Sequence, residues 1–215
     1  MADEGRRSGG AILVVAATPQ ELARFRRVEP AGVRCLVTGM GERAGAAVRD
    51  ELQRQRCRLV VSAGFSGGLR PGFQVGDLVM ASEVIEESTG LRRKPSLTFG
   101  LNGMASVGPF LTVPKILQDP VLKQQGGVRF GAIAADLETS AVAGAAMQAG
   151  VAWVAIRSIL DPMEVRLAVD SWRQGLRMLA VPSRWSQMRL FLGAVQKAGQ
   201  SLADGLGRFI RLGYV

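Results

Sequence analysis

Residues 134–161 read AADLETSAVAGAAMQAGVAWVAIRSILD, and this stretch decides the fold. After the acid Glu138, small apolar residues recur at helical spacing as far as Gly150, which favours the end of a helix. The run Val151–Ile156 then predicts a strand buried on both faces, with Asp161 beyond it. Because open α/β sheets bind ligands at the carboxyl ends of their strands, we expect both acids at one edge. The alternative is that Glu138 only caps the helix and Asp161 only ends the strand.

Strands and helices alternate along the remainder of the chain. Apolar runs predict strands at 12–16, 33–38, 59–63, 77–82 and near 103–107, and periodic stretches predict helices at 20–27, 45–54 and near 114–123. This order favours a three-layer α/β/α fold with a central mixed, mostly parallel sheet. We expect a single domain over residues 11–215, preceded by a polar, glycine-rich and disordered segment at 1–10.

The composition excludes several classes of site. The 215 residues include no histidine, which rules out Ser-His-Asp and Cys-His catalysis and disfavours zinc, so no metal or cofactor is expected. The net charge of +9 suits nucleic acid, an anionic membrane or an anionic substrate, with genomic bias as an equal alternative. Low aromatic content argues against nucleic acid. Without a signal peptide or a run of about 18 apolar residues, a cytoplasmic location is expected.

The last segment, 182–215, predicts a long, basic, amphipathic helix with Ser183 as its N-cap. Its apolar stripe consists of Trp185, Met188, Phe191, Leu192, Val195, Leu202, Leu206, Phe209 and Ile210. The stripe could pack on the protein's own sheet or lie on the anionic inner face of a membrane. Packing on the sheet is favoured for 183–195, and the two interpretations are equal for the last dozen residues.

Three blocks of sequence resemble the purine nucleoside phosphorylase and nucleosidase superfamily. Asp136-Leu137-Glu138 and Arg157-Ser158-Ile159-Leu160-Asp161 are similar to its Asp-Met-Glu core and Arg-Ser-x-x-Asp strand end, with Leu137 replacing methionine. Val60–Leu69 resembles its glycine-rich nucleoside-binding strand and loop, and Ile12–Glu21 resembles its first strand and acid-bearing turn. The blocks occur in the family order.

The resemblance implies three catalytic acids. Asp161 would protonate the leaving purine, and its place after a buried strand would raise its pKa. Glu138 would hold the ribose hydroxyls, with Leu137 packed against the sugar. Glu21 would orient the attacking water, although it could equally be an exposed residue that stabilises a helix start.

Further contacts are predicted around these acids. In the glycine-rich stretch 64–68, a loop is expected to approach the nucleoside. The candidate substrate contacts are Phe65, Ser66, Gly67, Leu137, Arg157, Phe110 and Leu111. Ser62 stands where many phosphorylases have an arginine that binds phosphate. Gly41 and Arg43 are then the candidate phosphate contacts, although they could equally form an ordinary turn between a strand and a helix. Retention of Glu21 favours water over phosphate.

The C-terminal part resembles the hopanoid-associated phosphorylases, which implies release of adenine from adenosylhopane. A methylthioadenosine or adenosylhomocysteine nucleosidase, or a futalosine-type hydrolase, is the alternative. A second alternative is a non-catalytic nucleoside-binding module attached to a membrane. The partner would be a small or lipid-linked purine nucleoside, with phosphate as an optional acceptor, and the family resemblance implies a homo-oligomer.

Overall fold

The computed structural model describes residues 10–97, 103–165 and 185–212. The expected disorder at 1–9 and the expected N-cap at Ser183 lie outside these ranges. The strands are β1 (Ala11–Ala16), β2 (Val33–Val37), β3 (Cys57–Gly68), β4 (Leu78–Glu86), β5 (Arg92–Arg93), β6 (Ala105–Thr112), β7 (Ala134–Asp136) and β8 (Ala152–Asp161). The α-helices are α1 (Pro19–Leu22), α2 (Glu42–Arg54), α3 (Pro120–Phe130), α4 (Thr139–Gln148) and α5 (Trp185–Arg211), with a 3-10 turn at Phe25–Val28.

The sheet is mixed and mostly parallel, as predicted, and it closes on itself. Strand β3 pairs in parallel with β1 and β8, while its last residues, Gly67 and Gly68, pair antiparallel with β7. Strand β8 continues to β4, β4 to β6, and β6 to β7. Five strands therefore form a ring, from which β1 and β2 extend.

Alternating side chains along the strands build two core layers. On β1, Val14 faces a cluster that includes Phe25, Leu206 and Phe209, which lies under the 3-10 turn and α5. The next residue, Val15, faces the opposite cluster under α2 and α4. Burial of each such side chain contributes about 1.5–3 kcal/mol, so the two layers hold the helices on both faces of the sheet. The α/β/α layering was predicted correctly.

The C-terminal half of α5 packs on the sheet, whereas its N-terminal half is more exposed. Leu202, Leu206 and Phe209 have no exposed surface, but Leu190 is 76% exposed and Leu192 is 46% exposed. In the described part of the last dozen residues, Leu206 and Phe209 are buried and Ile210 is partly buried, so this part of the apolar stripe packs on the protein. None of the described helices combines the length and hydropathy needed to cross a bilayer.

Several expectations from the sequence differ from the structure. The helix expected at 20–27 is divided into the four-residue α1 and the 3-10 turn. The glycine-rich stretch 64–68 is not a loop, because β3 continues through it to pair with β8 and β7. The helix expected near 114–123 is α3, which starts at Pro120 because Asp119 accepts a hydrogen bond from the N–H of Val121 as its N-cap. The short strands β5 and β7 were not predicted.

Candidate active site

A cavity of about 520 Å³ lies where β3 changes neighbours. Strand β1 pairs with β3 only as far as Ser62, and β7 pairs with it only from Gly67 onward. The edge of β3 between these points is therefore left open to side chains from elsewhere. Residues at or beyond the carboxyl ends of β1, β6, β7 and β8 line the resulting space. The site occupies the edge of the sheet that the sequence predicted.

Glu21 enters this gap from α1 and is 5% exposed. Oε2 of Glu21 accepts hydrogen bonds from the backbone N–H of Thr18 at 2.7 Å and from the hydroxyl group of Thr18 at 2.9 Å. Its Oε1 accepts the backbone N–H of Phe65, on the open edge of β3, at 2.8 Å. Burial raises the pKa of Glu21, although these donors and the charge of Arg157 oppose the rise. Glu21 is buried, so the alternative interpretation of an exposed residue at the start of a helix does not hold.

Arg157, a predicted substrate contact, lies beneath the cavity with no exposed surface and is not part of the cavity wall. Its Nη2 lies 3.2 Å from Oε1 of Glu138 and 3.1 Å from Oδ2 of Asp136. The same nitrogen donates to Oγ of Ser62 at 3.1 Å and to Oγ1 of Thr139 at 2.6 Å. One guanidinium group on β8 thus contacts two buried carboxylates and two hydroxyls, which come from β3 and from the segment that joins β7 to α4.

Glu138 lies on the cavity wall as the N-cap residue of α4. Burial raises the pKa of its carboxyl to about 8, against the lowering effect of Arg157, and the charges of Asp136 and Glu21 add to the rise. Three carboxyl groups therefore surround a single arginine. When these carboxyl groups are ionised, their negative charge exceeds the charge of Arg157, and the wall then favours a ligand that becomes positively charged.

Asp161 ends β8 at the cavity, and its carboxyl is paired with Lys123, a residue that the sequence analysis missed. Nζ of Lys123, which has no exposed surface, lies 2.6 Å from Oδ2 of Asp161. Burial raises the pKa of Asp161 to about 6, although the hydrogen bond and charge of Lys123 act to lower it. Oδ1 of Asp161 is buried without a hydrogen-bond partner in the part of the chain that is described. A buried polar atom without a partner at a cavity wall is available to form a hydrogen bond with a bound ligand.

The other predicted contacts fall into two groups. Phe65, Ser66, Gly67 and Leu137 line the cavity, and Oγ of Ser66 is also buried without a described partner. Phe110 and Leu111, in contrast, are fully buried in two different core clusters, because β6 is covered on both faces. The expected adenine contacts at Phe110 and Leu111 are therefore wrong.

The predicted phosphate contacts do not reach the cavity either. Arg43 is exposed on α2, and neither it nor Gly41 is part of the cavity wall, to which this turn contributes Met40. The hydroxyl group of Ser62 already accepts a hydrogen bond from Arg157. Within the described residues, no group of three or more histidine, cysteine or acidic side chains is arranged to hold a metal.

Replacing Arg157 by methionine is expected to lower the free energy of unfolding by about 3–5 kcal/mol, because buried carboxylates would lose their counter-charge. In the wild type, the folded pKa of Glu138 lies above its unfolded value, so stability falls as pH rises from 4.5 to about 8. The variant raises that pKa further, so its deficit should grow with pH. Urea unfolding at pH 5 and pH 9 measures this, with exposed Arg58→Met as the control. Equal losses in both variants would contradict the arrangement.

Gly64→Ala is expected to displace the carboxyl group of Glu21. A Cβ at Gly64 would lie 2.6 Å from Oε1 of Glu21, which is closer than a Cβ approaches a nonbonded oxygen, so the carboxyl group would have to move. We expect a stability loss of about 1–3 kcal/mol and a loss of ligand affinity. Gly193→Ala is the matched control, since it meets nothing within 4 Å in a helix and should gain about 1 kcal/mol. Thermal unfolding of both variants checks the prediction, and an unperturbed Gly64→Ala protein would refute it.

Comparison with known proteins agrees with the observed fold. The family model of the Phosphorylase superfamily matches residues 23–123. No curated protein sequence matches the chain significantly. Among solved structures, the 5′-methylthioadenosine nucleosidase of Arabidopsis thaliana superposes with a TM-score of 0.75 at 14% identity, covering 96% of each chain.

Two bacterial 5′-methylthioadenosine/S-adenosylhomocysteine nucleosidases are also similar. The Neisseria meningitidis protein, in complex with methylthio-immucillin-A, has a TM-score of 0.71 at 16% identity and covers 93% of this chain and 98% of its own. A Helicobacter pylori mutant with 5′-methylthioadenosine in its active site has a TM-score of 0.71 at 14% identity, covering 94% and 99%. Residues 23–123 therefore match the Phosphorylase superfamily, and the chain as a whole has the fold of these nucleosidases.

Proposed function

We propose that this protein is an enzyme that hydrolyses the N-glycosidic bond of a purine nucleoside. The observation that carries the proposal is the placement of Glu21, Glu138 and Asp161 on one cavity wall, each delivered by a different element. Cleavage requires a proton for the leaving base, a stable site for positive charge on the sugar, and an oriented acceptor. The three acids can supply these three needs.

In the proposed reaction, Asp161 gives its proton to a ring nitrogen of the purine. The bond between that base and C1′ breaks, and its electron pair stays on the base, leaving positive charge on the ribose. Glu138 binds the ribose hydroxyls, and the excess acid around Arg157 stabilises the sugar cation. Glu21 accepts a proton from water as the water oxygen bonds to C1′.

Water is the better acceptor because the buried cations near the cavity are already paired. Arg157 is bound to Glu138 and Asp136, and Lys123 is bound to Asp161. Lys115 lies on the exposed rim. A phosphate would therefore meet no unpaired buried cation among the residues that the structure describes.

The nucleoside is proposed to be an adenosine with a small apolar 5′ substituent, such as 5′-methylthioadenosine, which the Helicobacter pylori mutant holds in its active site. Apolar residues form much of the wall, among them Met40, Leu69, Ile116, Leu117 and Phe191. Such a wall suits a thioether better than a charged 5′ group.

A lipid-linked adenosine, such as adenosylhopane, is the second candidate. Phe191 lines the cavity, while its neighbours on α5, Leu190 and Leu192, are exposed. This apolar surface could receive a hydrocarbon chain that leaves the cavity at the 5′ carbon.

Release of free purine from three substrates tests the proposal: 5′-methylthioadenosine, S-adenosylhomocysteine and an adenosine with a long 5′ hydrocarbon. We expect adenine and free sugar at a rate independent of added phosphate. A strict need for phosphate, with a sugar 1-phosphate as product, would overturn the hydrolytic reaction. Preference for the hydrocarbon substrate would favour the lipid-linked adenosine. If no purine is released from any of the three substrates, the proposed enzymatic activity is wrong.

A further inference from the structure

We infer that Lys123 is a positioning residue that fixes the Asp161 carboxyl group so that Oδ1 carries the proton for the leaving purine. This inference rests on the proposed nucleosidase reaction. Lys123 contacts neither the sugar nor the base in that scheme. It acts through Asp161.

The three hydrogens of the Lys123 ammonium group are all accounted for. Nζ lies 2.6 Å from Oδ2 of Asp161, and it donates to the carbonyl oxygens of Pro162 at 3.0 Å and Val165 at 2.7 Å. An ammonium group has three donors and no acceptor, so this one is saturated. It is therefore unable to bind a substrate atom without giving up one of these contacts, each of which holds the end of β8 or the segment after it.

The pairing distinguishes the two oxygens of Asp161. Because Oδ2 accepts from a cation, it is the poorer place for a proton, and the proton of the acid form belongs on Oδ1. Oδ1 has no protein partner in the described residues. After the proton moves to the base, the carboxylate that remains is still paired with Lys123, which stabilises the product side of the step.

The placement of Lys123 is built into α3. Asp119 and Pro120 start the helix, so Lys123 falls in its first turn and faces inward. Close packing fixes the helix here, because a Cβ at Gly127 would lie 2.3 Å from the carbonyl oxygen of Leu69. A buried lysine held this firmly can orient its partner.

Few other described charges act on Asp161. Glu21 and Glu138 face the same cavity from α1 and from the start of α4, while β3 contributes backbone and small side chains at Gly67. Among these groups, Lys123 is the one that lowers the pKa of Asp161. Its removal should therefore raise that pKa.

The test compares Lys123→Met and Lys123→Gln with the wild type and with Lys94→Met, an exposed lysine after β5. The dependence of kcat/KM on pH is measured for each. Since the acid form of Asp161 is the active one, its alkaline limb should move upward by about 1–3 pH units in both Lys123 variants. Loss of orientation should lower the maximum kcat by about 100-fold, with KM little changed. The Lys94 variant should match the wild type in both respects.

The outcomes distinguish a positioning role of Lys123 from a purely structural one. A purely structural role would reduce activity without moving the alkaline limb, and that result would overturn the inference. Failure of both Lys123 variants to fold would overturn it too, because the lysine would then serve the fold. Absence of cleavage by the wild type would instead reject the proposed function, so the two failures are distinguishable.

Discussion

Asp161→Asn is expected to lower kcat for purine release by about 10²–10⁴-fold. The amide is nearly the same size as the acid, and its oxygen can still accept the hydrogen bond from Lys123, so the fold should persist. What is lost is the proton that neutralises the leaving base. The measurement is kcat and KM for purine release, with circular dichroism as a check on folding.

Asp50→Asn is the control, since Asp50 is an exposed acid on α2. It should leave kcat unchanged. An Asp161→Asn protein with wild-type kcat would show that Asp161 is not the acid. If the wild type binds nucleosides but cleaves none, the chain is a binding module, and the substitution then has no activity to remove.

Glu21→Gln is expected to reduce hydrolysis by about 10²–10⁴-fold and stability by about 1–3 kcal/mol. The carboxyl of Glu21 accepts N–H groups at both oxygens, from Thr18 and from Phe65. In glutamine one of those oxygens becomes an NH₂ group, which would face a donor whichever way the amide turned. The substitution thus removes both the base for water and a link between α1 and β3.

The matched control is Glu42→Gln, which changes an exposed acid in the first turn of α2. Chemical unfolding and the rate of purine release are measured for both variants. Equal behaviour of Glu21→Gln and Glu42→Gln would contradict the role of Glu21, and it would restore the interpretation of a residue that only supports a helix start.

The positions of the three acids could be predicted because each follows a recognisable buried strand or precedes a helix. Glu138 and Asp161 flank one helix–strand unit, and Glu21 follows the first apolar run. The carboxyl ends of such strands meet at one edge, which predicted the positions of Glu138 and Asp161, whereas Glu21 was assigned from the family resemblance. The layering of the fold followed from the same alternation.

Other features depend on contacts that no local pattern encodes. Closure of the sheet requires the three-residue strand β7 to pair with Gly67 and Gly68, and glycines favour the prediction of a loop. Lys123 lies far from Asp161 in sequence, and α3 starts later than its periodicity indicated. Phe110 and Leu111 were assigned to the site because burial on both faces of β6 was not visible in the sequence.

The most direct measurement is a crystal structure of the Asp161→Asn protein with a bound adenosine. We expect a purine ring nitrogen about 3 Å from the side chain at position 161. The ribose hydroxyls should lie on Glu138, and a water molecule should sit between Glu21 and C1′. A nucleoside bound elsewhere, or bound here with its base turned away from position 161, would contradict the claim that these acids act on a single sugar–base bond.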